Sequence, residues 1–205
     1  MNAVVCPRLT VADYLAGERD AELRHEYENG FVRAMTGTSR AHNSIAMNVA
    51  AVLHSHLRGS PCRVHVSDVK VHVDLADDQR FYYPDVLVDC GSGGDAYVAS
   101  APKLVVEVLS ASTERRDRAE KAQGYRRLPT LAEYVLIAQD VRRVEVYRRS
   151  EGWEFERTID SAAAPVRFES LGLELTLDAI YEGLELPADP GDSPKPVHGS
   201  PGSAG

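Results

Sequence analysis

The stretch 103-KLVVEVLSAST-113 places a carboxylate, Glu107, in the middle of an apolar run. Unbroken apolar character over this length is typical of a central β-strand that is buried on both faces. An ionised glutamate in such an interior loses several kcal/mol of solvation unless something compensates for it. Glu107 must therefore be protonated, paired with a cation or bound to a metal ion.

Helical signals precede and follow this strand. The Ser-Ala-Ser-Thr end of the stretch can cap a helix that runs to about Leu128, and apolar spacing predicts an amphipathic helix over 39–58. Two shorter helices are predicted at VADYLAG, which Thr10 can cap, and at LTLDAIYEGL.

Strand signals fill the remainder of the ordered chain. Asn29-Gly30 predicts a hairpin turn, because this pair tolerates the positive φ angles of a two-residue turn. A strand is predicted over 62–74, with a bulge at Ser67-Asp68 where the valine parity changes, and another over 81–89. Three more strands are predicted at EYVLIAQ, RVEVYRR and WEFERTI. This order indicates an α/β fold with a central mixed sheet flanked by helices, and no regular βαβ series.

Composition is ordinary for a globular protein, with 43% hydrophobic and 26% charged residues in 205. We expect one domain over 1–186 and a disordered tail over 187–205, where Pro, Gly and Ser dominate. No apolar run is long enough for a membrane helix, and the first residues do not resemble a signal peptide.

The cysteines Cys6, Cys62 and Cys90 are odd in number and widely spaced, so neither a disulfide framework nor a zinc site is predicted. This favours a cytoplasmic location.

The charge distribution is uneven. A net charge of −8 argues against a protein that coats nucleic acid through bulk electrostatics. Residues 103–149 nevertheless contain 11 basic and 7 acidic residues, a local charge of +4. An anionic ligand and a solvated helix face explain this segment about equally well.

A second carboxylate, Asp85 in YYPDVLV, precedes Glu107 by 22 residues. If the two strands are neighbours, both acids can project from one face and hold Mg²⁺ or Mn²⁺, which proteins bind through one or two carboxylates. The alternative is a buried salt bridge between Glu107 and a lysine.

The helix that follows Glu107 offers such a lysine. Helical spacing places Asp117, Lys121, Gly124, Tyr125 and Leu128 on one face, and its apolar members indicate that this face packs inward. Lys121 could then stabilise charge on a phosphate or orient a water molecule. An ion pair between Asp117 and Lys121 within the helix is the simpler alternative, and both arrangements can hold together.

A family resemblance rests on motifs in a fixed order. The chain resembles the Uma-type family of restriction endonucleases, within the PD-(D/E)xK nuclease superfamily, from about Leu9 to Leu186. The motifs are RHEYENG, AHN, SDVKV, YYPDVLV, VVEVLSAST, TERRDRAEK and YRRLPTLAEYVLI. The resemblance implies a restriction-endonuclease-like fold and metal-dependent hydrolysis of DNA phosphodiester bonds.

The same resemblance implies roles for three acids. Asp85 matches the motif aspartate, Glu107 matches the acid that follows it, and Glu26 in RHEYENG matches a glutamate that can join the metal shell. The implied cofactor is Mg²⁺ or Mn²⁺, which activates water and polarises the phosphate.

The sequence departs from the superfamily motif at Leu109, where a lysine is expected two residues after the acid. We favour Lys121 as its replacement, since it matches the family's Asp-x-x-x-Lys pattern with Asp117. Lys70 in SDVKV is the alternative, and it could share the site with Asp68.

A histidine and the oligomeric state complete the expectations. The resemblance implies that His42 lies near the site, although a packing role at the end of a helix is equally compatible with its position. DNA is the implied partner, and a homodimer is plausible because cutting both strands requires two sites. Two rival hypotheses stay open: a non-catalytic module that binds nucleic acid or protein, and carboxylates that serve only as structural ion pairs.

Overall fold

The computed structural model describes residues 8–35, 37–159 and 165–187. The strands of this part, in chain order, are β1 (His25–Glu28), β2 (Phe31–Ala34), β3 (Arg63–Val66), β4 (Val71–Leu75), β5 (Asp78–Tyr82), β6 (Val86–Asp89), β7 (Pro102–Leu109), β8 (Glu133–Ala138), β9 (Val144–Arg148), β10 (Phe155–Ile159), β11 (Val166–Phe168) and β12 (Leu173–Leu175). Its helices are α1 (Val11–Arg19), α2 (Arg40–His56), α3 (Glu114–Arg116), α4 (Ala122–Tyr125) and α5 (Leu177–Ile180), with a π-helical turn (Asp117–Lys121) between α3 and α4. From residue 188 onward, the predicted tail lies outside the described residues.

A six-stranded mixed sheet, here called the main sheet, has the order β10-β9-β8-β7-β6-β3. The neighbours β7 and β8 are parallel, and the other neighbouring pairs are antiparallel. The strand that contains Glu107, β7, lies in the interior of this sheet, which confirms the central position predicted from its apolar run.

Both faces of the main sheet are covered. On one face, Val106 belongs to a core that includes Ile45 and Val49 of α2. On the other face, Val105 belongs to a second core that includes Tyr125 of α4. Because side chains alternate along a strand, Glu107 projects to the same face as Val105 and therefore toward α4.

The helical segment 114–125 approaches the sheets closely at Gly124. A Cβ atom at this position would meet the ring of Tyr82 at 3.2 Å, so glycine permits the short separation. The five residues predicted to share the inward face are all buried: Asp117, Lys121, Gly124, Tyr125 and Leu128.

A smaller antiparallel sheet, with the order β2-β1-β5-β4, packs beside the main sheet. Its β1–β2 hairpin turns at Asn29 and Gly30, whose φ angles are 49° and 94°, as the Asn-Gly pair predicted. The predicted helices that begin after Thr10 and at residue 39 are also present as α1 and α2.

Two of the predicted strands are each divided between the sheets. The strand expected over 62–74 is β3 of the main sheet followed by β4 of the small sheet, so the predicted bulge at Ser67-Asp68 is wrong. Ser67 has a φ angle of 58°, and the chain leaves the main sheet there. The strand expected over 81–89 is likewise β5 followed by β6, separated by Tyr83, Pro84 and Asp85. Proline lacks the N–H group that continuous strand pairing requires.

The prediction that the cysteines form no disulfide is wrong, because Cys62 and Cys90 are bonded to each other. They flank β3 and β6, where Arg63 pairs with Asp89, so a pairing across antiparallel strands brings together cysteines that are 28 residues apart. The argument from cysteine usage for a cytoplasmic location therefore no longer applies, and that location stays a prediction. No helix within the described residues is long and apolar enough to cross a membrane.

The short hairpin of β11 and β12 was not predicted. Each strand has only three residues, too few for the alternation of apolar and polar residues to be recognised in the sequence. Val166 and Phe168 nevertheless complete the core on the α2 face of the main sheet.

Candidate active site

A pocket of about 310 Å³ opens where both sheets meet the start of α2 and the helical segment 114–125. Its walls include six of the residues predicted for the site: Glu26, His42, Asp85, Glu107, Asp117 and Lys121. They come from five different parts of the chain: β1, α2, the connection before β6, β7 and the π-helical turn.

Glu107 is almost fully buried on the floor of this pocket, with 2% of its surface exposed. Its Oε1 atom accepts a hydrogen bond from Lys121 Nζ at 3.1 Å and another from the Tyr125 hydroxyl at 2.9 Å. Both donors come from the inward face of the helical segment, so the predicted meeting of Glu107 and Lys121 occurs.

Lys121 is the cationic centre of the site. Its Nζ atom lies 3.0 Å from Glu26 Oε1, 3.1 Å from Glu107 Oε1 and 3.3 Å from Asp117 Oδ1. The π-helical turn contains both Asp117 and Lys121, and such turns occur frequently at functional sites. The predicted pair within the helix and the predicted pair with Glu107 are therefore both present.

Asp85 lies at the end of the pocket beside Glu107. In the pairing of β6 with β7, Leu87 is opposite Val105, and continuing this register places Asp85 next to Glu107. Asp85 Oδ2 accepts a hydrogen bond from the Val108 backbone N–H at 2.7 Å and lies 3.2 Å from His42 Nε2. These two contacts orient its carboxylate, and they bring His42 into the site as the resemblance implied.

Burial and neighbouring carboxylates raise the pKa of Glu107 well above its usual value, although the Lys121 ammonium opposes the shift. Burial also raises the pKa of Asp117. For Glu26 the outcome is reversed: burial alone would raise its pKa, but Lys121 and Arg116 lower it. The carboxylates together hold the pKa of Lys121 well above its usual value despite its burial. The site therefore combines a lysine and an acid, Glu107, whose pKa values are both raised, the first by the surrounding carboxylates and the second by burial.

Arg116 was not predicted as a site residue. Its guanidinium binds the Glu26 carboxylate through one nitrogen and lies 2.7 Å from Glu28 Oε1 through another. Its Nε atom lies 3.3 Å from Glu120 Oε2, four residues further along the helical segment. This spacing was visible in the sequence, but the contact with Glu26 spans 90 residues and left no local signal.

Lys70 and Asp68, the alternative basic residue and its companion, are not among the described residues that line the pocket. Lys70 is buried, and its Nζ atom donates a hydrogen bond to the Tyr83 hydroxyl at 3.1 Å. Asp68 is exposed and lies 3.3 Å from Arg24 Nε.

The chemistry of the donor set suits a hard divalent cation, since four carboxylates line a single pocket. Asp117 Oδ1 is buried and accepts no hydrogen bond of suitable geometry, although Lys121 Nζ is near. Within the described residues, however, no three His, Cys, Asp or Glu side chains are grouped as a metal site. Three of the carboxylates, those of Glu26, Glu107 and Asp117, contact the Lys121 ammonium, whereas Asp85 does not. Asp85 and Glu107, which are neighbours in the register of β6 and β7, are the residues that could hold a metal ion together.

A mixed sheet flanked by helices, with acidic strands meeting a helical lysine at one pocket, defines a protein of the restriction-endonuclease-like fold. The chain belongs to the Uma2 family, described as "putative restriction endonuclease", whose sequence model matches residues 11–188.

Two relatives come from Synechocystis sp. (strain ATCC 27184 / PCC 6803 / Kazusa). The "uncharacterized protein slr1290" is 32% identical over 180 residues, which cover 87% of this chain and 94% of that protein. The "uncharacterized protein sll1609" is 32% identical over 145 residues, which cover 69% of this chain and 81% of that protein.

A solved structure has the same fold. It is the crystal structure of a protein from Anabaena variabilis ATCC 29413 described as "a putative nuclease belonging to DUF820". The TM-score is 0.68 at 20% sequence identity, and the match covers 84% of this chain and 97% of that one. The predicted restriction-endonuclease-like fold is thereby confirmed.

Proposed function

We propose that the protein is a metal-dependent endonuclease that hydrolyses DNA phosphodiester bonds at the pocket around Glu107. The observation that supports this most directly is the convergence of Glu107, Asp85, Glu26 and Lys121, from separate elements, on one open pocket. A fold needs no such convergence for stability, because buried ion pairs are often no more stabilising than apolar residues of similar volume.

Asp85 and Glu107 are the proposed ligands of Mg²⁺ or Mn²⁺, and Glu26 can join them. When bound, the metal ion supplies an activated water molecule and polarises the phosphate. The Val108 N–H and His42 orient Asp85, and the Tyr125 hydroxyl orients Glu107.

Lys121 stabilises negative charge on the phosphate. Its ammonium group is buried, and an electrostatic contact with a phosphate is stronger there than in water. Arg116 binds Glu26 and Glu28, so it holds the hairpin acid in place instead of contacting the phosphate itself. Asp117 fixes the ammonium from within the π-helical turn.

Cleavage of supercoiled plasmid DNA with Mg²⁺ or Mn²⁺ tests this proposal. We expect wild-type protein to nick the plasmid, and we expect Asp85→Ala and Lys121→Met to lower the rate by about 100-fold or more, since each removes a group that acts on the reacting phosphate. Asp68→Asn, an exposed acid outside the pocket, is the matched control and should cleave at the wild-type rate. Circular dichroism confirms that each variant is folded, and equal cleavage by wild type and Asp85→Ala would refute the assignment.

A non-catalytic nucleic-acid-binding module is the second candidate. The contacts of Lys121 with three carboxylates favour it, because they compensate much of the acidic charge without a metal ion. Calorimetry with Mn²⁺ separates the two: an endonuclease binds the ion and loses that binding in Asp85→Ala, whereas a non-catalytic module binds DNA and takes up no Mn²⁺.

A further inference from the structure

The β1–β2 hairpin presents an exposed strip of two arginines and a phenylalanine next to the pocket: Arg8, Phe31 and Arg33. In the hairpin, Arg33 is paired with Glu26 and Phe31 is paired with Glu28. Directly paired residues of antiparallel strands project to the same face. Arg33 and Phe31 therefore lie on the face of the hairpin that carries the acid of the site.

The Phe31 ring is exposed to an unusual degree, at 65%. The guanidinium carbon of Arg8 lies 5.4 Å from the centre of this ring, so a cation accompanies the aromatic surface. Neither Arg8 nor Arg33 forms an ion pair with any residue that the structure describes. Exposed aromatic rings interleaved with free arginines are typical of surfaces that bind single-stranded nucleic acid.

A groove connects this strip to the pocket. Arg33, Glu26 and Arg116 line the pocket, and the same three residues line the groove that continues outward to Phe31. A strand that leaves the pocket along this groove meets Arg33 first and Phe31 next, about 7 Å further along the hairpin.

The two arginines that line the groove differ in whether a carboxylate binds them. The carboxylates of the groove, Glu26, Glu28 and Glu120, all bind Arg116, which is therefore engaged. Of the described residues that line the groove, Arg33 is the cation left to pair with a phosphate, and Arg8 adds a second positive charge beside the Phe31 ring. Because few cations can contact phosphates here, we expect base stacking to contribute a large share of the binding free energy.

We propose that the hairpin strip binds the DNA strand that leaves the pocket, with one unpaired base stacked on Phe31 and its phosphate paired with Arg33. This inference rests on the proposed function and adds a substrate class: DNA with single-stranded nucleotides next to the cleaved bond. In a duplex the faces of the bases are already stacked on one another, and exposing one for Phe31 requires unstacking.

Fluorescence anisotropy with a labelled 15-nucleotide oligo(dT) and with a labelled duplex of the same length tests the inference. Asp85→Asn serves as the parent protein, so that cleavage does not interfere. We expect the parent to bind oligo(dT) more tightly than duplex.

Phe31→Ala should weaken oligo(dT) binding by about tenfold, the effect of losing one stacked base, and should leave duplex binding unchanged. Arg33→Ala should lower the slope of log Kd against log salt concentration by about 0.7, the value for one phosphate contact on a single strand.

Matched controls are available away from the hairpin. Met47, which is 51% exposed on α2, controls for Phe31, and the exposed Arg58 controls for Arg33. Both control variants, mutated to Ala, should bind like the parent. If Phe31→Ala and Arg33→Ala also bind like the parent, or if Phe31→Ala weakens duplex binding equally, the inference is wrong while the proposed function stands. If the parent binds neither DNA, the proposed function fails together with the inference.

Discussion

The buried carboxylate of Glu107 has hydrogen-bond donors that compensate for its lost solvation. Its Oε1 atom accepts hydrogen bonds from the Lys121 ammonium and the Tyr125 hydroxyl. Of the alternatives that the sequence left open, pairing with a cation is observed, and protonation is favoured by the raised pKa. Metal binding stays a proposal, and it requires the carboxylate form of Glu107, so a bound metal ion would displace the proton that the raised pKa favours.

The raised pKa of Glu107 predicts a pH dependence of stability. Between its usual pKa and the raised one, the folded protein binds a proton that the unfolded chain releases, so the free energy of unfolding falls as the pH rises through this window. Glu107→Gln keeps both hydrogen bonds and removes the titration. We expect its stability relative to wild type to increase as the pH rises from 5 upward, because only the wild type loses the proton of residue 107 on unfolding there.

Urea unfolding of both proteins across this pH range measures the effect. Glu22→Gln is the control, because Glu22 is exposed and forms no ion pair with the described residues. A constant difference between Glu107→Gln and wild type at all pH values would show that Glu107 titrates normally.

At the scale of elements, the connection from β5 to β6 determines where Asp85 lies. This connection, Tyr83-Pro84-Asp85, leads from the small sheet into the main sheet, so its anchoring positions the carboxylate. Tyr83 is its anchor: the hydroxyl accepts a hydrogen bond from Lys70 Nζ at 3.1 Å and donates one to Glu18 Oε1 at 2.9 Å. Lys70, predicted as a possible catalytic residue, thus contacts the connection that leads to Asp85.

Removal of this hydroxyl should destabilise the protein. Tyr83→Phe removes the hydrogen-bond acceptor of the buried Lys70 ammonium and one of the hydrogen-bond donors to Glu18. Because buried polar groups are then left without a partner, we expect the free energy of unfolding to fall by about 1–3 kcal/mol. Thermal or urea unfolding measures the change. Tyr97→Phe is the control, since Tyr97 is 58% exposed, and it should have wild-type stability. Equal stability of Tyr83→Phe and wild type would mean that the connection is held by other contacts.

At the scale of the whole molecule, the site exists because two sheets meet. Glu26 belongs to the small sheet and Glu107 to the main sheet, and the helical segment 114–125 joins them through Lys121 and Arg116. The disulfide lies elsewhere, where Cys62 and Cys90 link the edge strand β3 to its neighbour β6. It therefore bears on the stability of the main sheet and not on the chemistry of the pocket.

Reduction of the disulfide should lower the stability of the whole domain. A cross-link between residues 28 apart restricts the unfolded chain, and its loss costs about 3.5 kcal/mol. Urea unfolding with and without dithiothreitol measures this difference. A double variant, Cys62→Ala with Cys90→Ala, is the control and should not respond to the reductant. Equal stability of oxidised and reduced wild type would contradict the prediction.

The sequence by itself determined the local elements and the chemistry of the central strand. Periodicity predicted α2, the Asn-Gly pair predicted the β1–β2 hairpin, and the apolar run around Glu107 predicted an interior strand. Helical spacing also predicted that Lys121 faces inward. These features depend on residues within a few positions of one another, so the sequence displays them directly.

Only the tertiary structure decided which sheet each strand joins and which distant residues meet. The division of 62–74 and 81–89 between two sheets, the contact of Arg116 with Glu26 and the bond between Cys62 and Cys90 were not predicted. Each depends on pairing between segments far apart in the chain, and a local pattern of apolar residues is the same whichever sheet buries it. The sequence favoured Lys121 over Lys70 as the basic residue of the site, and the packing of a helix on a sheet brings its Nζ atom to 3.1 Å from Glu107 Oε1.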